Sequence, residues 1–137
     1  MRVKEFLKRA RLWDEQIKSL AAERDYYRQL ADNLGGGNIE EHVSRSGKSE
    51  APYAKFVERI ADKDKAIDEA LDRLLAAKME ISAFVDRIEN PEWQCLLRHR
   101  YVLCKTWPDI AVDMGISLRT VHRLYKKILK NFGNDMV

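Results

Sequence analysis

The chain has 137 residues, of which 34% are Asp, Glu, Lys or Arg and only three are proline. That length suits one ordinary core, or a small domain joined to an extended helical element, and the composition is that of a helix-rich chain rather than a disordered or fibrous one. No stretch approaches the roughly 20 apolar residues that cross a bilayer, and Met1-Arg2-Val3-Lys4-Glu5 lacks the apolar run of a secretory signal, so a cytoplasmic location without a membrane partner is expected.

The net charge of +3 is unevenly distributed. From Cys95 to Val137 eight Lys or Arg face three Asp or Glu, giving +5, whereas the remainder has 17 against 19, giving −2. Attraction to phosphate is therefore concentrated in the last third of the chain. Cys95 and Cys104 are too few for a disulfide framework and read as reduced packing residues.

Phe6, Ala10, Trp13, Ile17, Leu20, Arg24, Tyr27, Ala31 and Leu34 follow one another at spacings alternating four and three, which is a heptad seam on a helix. Gly35-Gly36-Gly37 stops it, because glycine accepts the left-handed conformation of a C-terminal cap. Residues 35–51, with His42, Ser44, Ser46, Gly47 and Ser49, read as a polar connecting loop. A second seam runs through Tyr53, Val57, Ile60, Asp64, Ile67, Leu71, Leu74, Lys78, Ile81, Val85 and Ile88, so the second helix is about 55 Å long at 1.5 Å per residue.

Folding the first helix back antiparallel sets Tyr27 against Ile60, Leu20 against Ile67, Trp13 against Leu74 and Phe6 against Ile81. The same register opposes the polar interruptions Arg24 and Asp64. Phe56, Ala70, Ala77 and Phe84 form a further apolar stripe beside the seam, with Lys63 as its exception. That stripe can take a second copy of the chain, giving a homodimer or higher oligomer through the hairpin, or can dock the C-terminal region; self-association is the favoured expectation.

Asn90-Pro91-Glu92 marks the next boundary, since Asn caps and Pro starts a helix. The expected division is therefore a helical hairpin over 1–90 and a separate domain over 91–137. Pro91 to Leu103 reads as a helix with Trp93, Leu96, Leu97 and Tyr101 inward. Thr106 then caps a helix carrying Pro108 and Asp109 in its first turn and burying Ile110, Ala111 and Met114. Gly115 supplies a tight turn, Ile116 fills the angle and Ser117 caps the final helix, which is the layout of a helix-turn-helix.

In that final helix Val121, Leu124 and Ile128 are spaced to pack inward. Ser117, Arg119, Thr120, His122, Arg123, Lys126 and Lys127 lie on the other face and are the expected DNA-binding residues, with 117–130 as the recognition helix in the major groove. Arg119 and Arg123 are placed to read base edges, and Lys126 and Lys127 to contact phosphate. The plainer reading of the same residues is a solvated basic helix ending a helical domain.

Trp107-Pro108-Asp109-Ile110-Ala111, Met114-Gly115-Ile116-Ser117 and Thr120-Val121 together resemble the DNA-binding region 4 of bacterial sigma factors. With Leu96-Leu97-Arg98-His99-Arg100-Tyr101 and Lys105-Thr106-Trp107 included, the chain is similar to small phage and prophage regulators of the RinA and ArpU kind. The resemblance implies an all-α protein, a long antiparallel αα-hairpin followed by a sigma region 4-like helix-turn-helix, that regulates transcription by binding double-stranded DNA. Contact with RNA polymerase is open by analogy with that group. Pro108 departs from the acidic residue usual at its position, and no segment resembles the promoter-melting region, so a complete sigma factor is not expected.

Other chemistries find less support in the residues. Cys95 and His99 have metal-ligand spacing with Cys104 nearby, but a fourth ligand is missing locally, so no metal is expected. Neither a phosphate-cradling loop nor a nucleophile-base pair is present, so no catalytic residue, cofactor or enzymatic activity is expected. The alternative function is an assembly role, such as a small terminase-like DNA-packaging subunit that oligomerises through the hairpin.

Overall fold

A computed structural model describes residues 2–35 and 46–133, and every element in them is helical. In chain order these are α1 (Val3–Gly35), α2 (Ser46–Asp86), α3 (Pro91–Leu97), a π turn (Arg98–Val102), α4 (Trp107–Met114) and α5 (Leu118–Phe132). None of these helices is long and apolar enough to cross a membrane. Helix α1 is described as far as Gly35, and Gly36 and Gly37 of the expected stop lie outside the described residues. Helix α2 begins at Ser46, inside the segment expected to be a loop, which places Pro52 within the helix at the loss of one backbone donor. The rest of that loop, including His42 and Ser44, lies outside the described residues.

Packing groups the chain into two compact units, Glu15–Asp72 and Met1–Asp14 with Arg73–Val137. In the first, α1 and α2 run antiparallel. The Arg24 guanidinium donates to Asp64 Oδ1 at 3.1 Å, as the seam register requires, and Lys63 Nζ lies 3.1 Å from Glu23 Oε1. Tyr27 faces Phe56 with ring centroids 6.1 Å apart. Its hydroxyl donates to Glu23, and that bond together with Lys63 holds the Glu23 carboxyl below the usual carboxylate range.

The face of α2 turned inward is rotated from the expected one. Tyr53, Val57 and Leu71, expected on the seam, remain 43%, 47% and 45% exposed, whereas Ala70 of the neighbouring stripe is buried. Ile67 of the seam stays buried beside Ala70, so the contact line in this unit runs between the seam and the neighbouring stripe, and Phe56 of that stripe meets Tyr27.

The second unit contains the main core. Val3, Phe6, Leu7 and Ala10 of α1, Ala77, Ile81 and Val85 of α2, Leu96 and Leu97 of α3, Tyr101, and Ile110, Ala111, Val121 and Ile128 of α4 and α5 form one buried cluster. Residues 1–14 and 73–90 thus pack with the C-terminal helices, and a cut at residue 90 does not follow the packing. Arg9 pairs with Glu80 at 2.6 Å on the rim. Phe84 lies 5.6 Å from Phe6 and 5.5 Å from Phe132. The Ala77 and Phe84 end of the extra stripe is therefore covered by this chain's own residues, which removes the main reason for expecting a second copy there.

Candidate functional site

Each local feature of residues 90–133 has a cause in the sequence. Asn90 Oδ1 accepts from the amides of Glu92 and Trp93 at 3.0 and 3.3 Å, capping α3 as its Asn-Pro start predicts. The helix continues into the π turn, where the Leu103 amide reaches back five residues to the Arg98 carbonyl at 2.9 Å. Cys104 has φ +55°, a left-handed conformation unusual for a residue with a side chain, and reverses the chain towards α4.

Thr106 Oγ1 accepts from the Asp109 amide at 3.3 Å and starts α4. Gly115, at φ +67° and ψ +32°, ends it, and the Ile116 amide closes the turn on the Ala111 carbonyl at 3.0 Å. Ser117 Oγ then accepts from the Thr120 amide at 3.1 Å, capping α5.

Helix α5 is strongly two-faced. Val121 and Ile128 are fully buried, and Leu124, Tyr125 and Phe132 pack against the same core. At 100° per residue Arg119, His122, Arg123, Lys126, Lys127 and Lys130 fall within one opposite face about 15 Å long, and all six are exposed. Helix α5 contains no acidic residue. Among the described residues none of its five Lys and Arg makes an ion pair or hydrogen bond, whereas Arg9, Arg24, Lys63, Arg98 and Lys105 elsewhere are paired with carboxylates. Leu118, Arg119, His122, Arg123 and Lys126 line a shallow open depression.

The structure thus brings the expected site residues together, with one division among them. Arg119, Arg123, Lys126 and Lys127 present unpaired side chains among the described residues, and His122 is exposed with its ring beside that of Trp107. The hydroxyls of Ser117 and Thr120 are 2.8 Å apart and bonded to each other, with Ser117 also serving the cap, so both are partly committed to the helix start. Lys130 joins the face and was legible from its spacing.

Trp107 was not expected in the site. Its ring is 5.5 Å from His122 and 4.7 Å from Tyr125, and the Arg100 guanidinium lies over it at 4.1 Å from the centroid. The Tyr125 hydroxyl is bonded to that of Tyr101, whose burial, with this bond, raises its pKa well above the ordinary value. Among the described residues no three His, Cys, Asp or Glu side chains are grouped so as to hold a metal ion, and Cys95 and Cys104 are not joined in a disulfide.

Residues 11–134 match the family described as Protein of unknown function (DUF722), and the chain belongs to that family. No curated protein and no solved structure shows significant similarity to it.

Proposed function

We propose that the chain is a sequence-specific double-stranded DNA-binding protein, a transcriptional regulator of phage or prophage type, in which α4, the Gly115 turn and α5 act as a helix-turn-helix. The observation that carries this reading is the outer face of α5, with five basic side chains, no acidic residue and no internal ion pair. Such a face is electrostatically unsatisfied in the free protein, is narrow enough to enter a major groove about 12 Å wide, and is backed by a rigid core at Val121 and Ile128. Arg119 and Arg123 supply guanidinium forks for base edges. Lys126, Lys127 and Lys130 supply charge for phosphate. The resemblance of residues 107–121 to sigma region 4 supports the same assignment.

Selection of bound sequences from a random duplex pool tests this reading. An enriched motif is expected, and Arg119→Ala with Arg123→Ala should lose the preference for it, each by about 1 to 3 kcal/mol. Lys126→Ala should weaken cognate and scrambled duplexes alike. Enrichment of no sequence at moderate salt, with binding retained, would instead favour the DNA-packaging role.

A further inference from the structure

We propose that Arg100 and Arg11 form a second phosphate-binding site, which holds a backbone phosphate of the same duplex whose groove receives α5. This rests on the DNA-binding reading above and extends the contact surface beyond α5 to the π turn and α1. Arg100 Nη1 donates to the Lys105 carbonyl at 3.0 Å, and Arg11 Nη1 reaches the same oxygen at 3.5 Å. Two guanidinium groups thus converge on one neutral acceptor. Among the described residues neither is hydrogen-bonded to a carboxylate, and Arg100 Nε is buried with no partner. The nearby acid Asp113 is already taken by the Lys105 ammonium, at 2.6 Å.

Such a pair is incomplete by itself. Burial lowers the Arg100 pKa from its ordinary value, and the like charge of Arg11 lowers it further. An anion accepting from both forks removes that repulsion, and a phosphate oxygen pair matches the planar donor geometry of arginine. The backbone is also arranged to hold the pair. The π turn directs Tyr101 into the core and Arg100 onto Trp107, and the left-handed Cys104 turns the Lys105 carbonyl towards both guanidiniums.

The position fits a phosphate beside the groove. Trp107 touches both Arg100 and His122, so the Arg100 guanidinium lies within about 10 Å of the His122 ring at the edge of the α5 face, less than the width of a major groove. A strand bordering the groove occupied by α5 is therefore within reach.

The test uses the full chain with Arg11→Gln and Arg100→Gln, the duplex enriched by selection and a scrambled duplex, between about 50 and 200 mM salt. Each substitution is expected to weaken both duplexes by the same factor and to reduce the slope of log K against log salt by about one, so that its deficit is about fourfold larger at the low-salt end. Circular dichroism verifies folding. If Arg100→Gln unfolds the protein by freeing Trp107, Arg11→Gln decides alone. A folded Arg11→Gln protein with native slope and affinity, alongside an Arg119/Arg123 variant that loses its preference, would overturn this site and leave the DNA-binding reading intact. A native protein that retains no duplex from the selection pool would overturn both.

Discussion

Arg24 and Asp64 meet across the two long helices, with Nη1 of one donating to Oδ1 of the other at 3.1 Å. Each is a polar interruption of a largely apolar seam, and the bond raises the Arg24 pKa above its ordinary value. A partly solvated pair of this kind fixes register more than it stabilises. Asp64→Leu alone should lower the urea midpoint, because Arg24 is left half-buried opposite a hydrocarbon. Arg24→Leu with Asp64→Leu should restore or exceed the native midpoint. Equal midpoints for the single variant and the native protein would show that the pair contributes nothing.

Gly115 allows space and conformation to be separated. No atom lies within 4 Å of a Cβ placed there, so the cost of Gly115→Ala comes only from φ +67° and should be about 1 kcal/mol. Gly115→Asn should cost less, since asparagine tolerates the left-handed region. Both variants should keep the affinity for DNA proposed above. Thermal melting gives the first quantity and a binding titration the second.

Leu7 is fully buried in the cluster that also contains Ile110, Val121 and Ile128. Leu7→Ala should therefore destabilise helices α3 to α5, by about 2 to 5 kcal/mol. A fragment containing only residues 91–137 should be largely unfolded, having lost seven buried partners from α1 and α2. Hydrogen exchange at the Val121 and Ile128 amides reads both effects. Native protection in the fragment would show that the C-terminal helices form their own core.

Tyr101 makes stability depend on alkaline pH. Its pKa is raised in the folded state by burial and by the Tyr125 bond, so the fold favours the protonated phenol. Its stabilising contribution is complete below the unfolded value, about 10, and declines as pH rises beyond it. Urea midpoints between pH 8 and 11 should fall at the alkaline end and fall less in Tyr101→Phe, which should itself cost about 1 kcal/mol at neutral pH. A residual decline is expected from Tyr27, which is raised through its bond to Glu23.

Local signals in the sequence were accurate where a local cause suffices. The caps at Asn90, Thr106 and Ser117, the left-handed turn at Gly115 and the two faces of α5 each depend on a few adjacent residues. The register of Arg24 with Asp64 was also legible, because antiparallel pairing leaves no freedom once the turn is placed. The rotation of α2 towards Ala70 was not, since seam and stripe are both apolar and their spacing alone does not say which of them faces the partner helix. The assembly of Arg11 with Arg100 and Lys105 depends on a contact between residues 94 positions apart, and nothing in the spacing of either arginine announces it.

The ring of Trp107 touches a guanidinium, an imidazole and a phenol at once. An indole so placed is an optical gauge of its neighbours, because its emission depends on the groups packed against it. With Trp13→Phe and Trp93→Phe leaving one emitter, fluorescence should change if DNA engages α5 as proposed. The chain thus carries its own reporter beside α5, and the proposed docking can be followed without an attached dye.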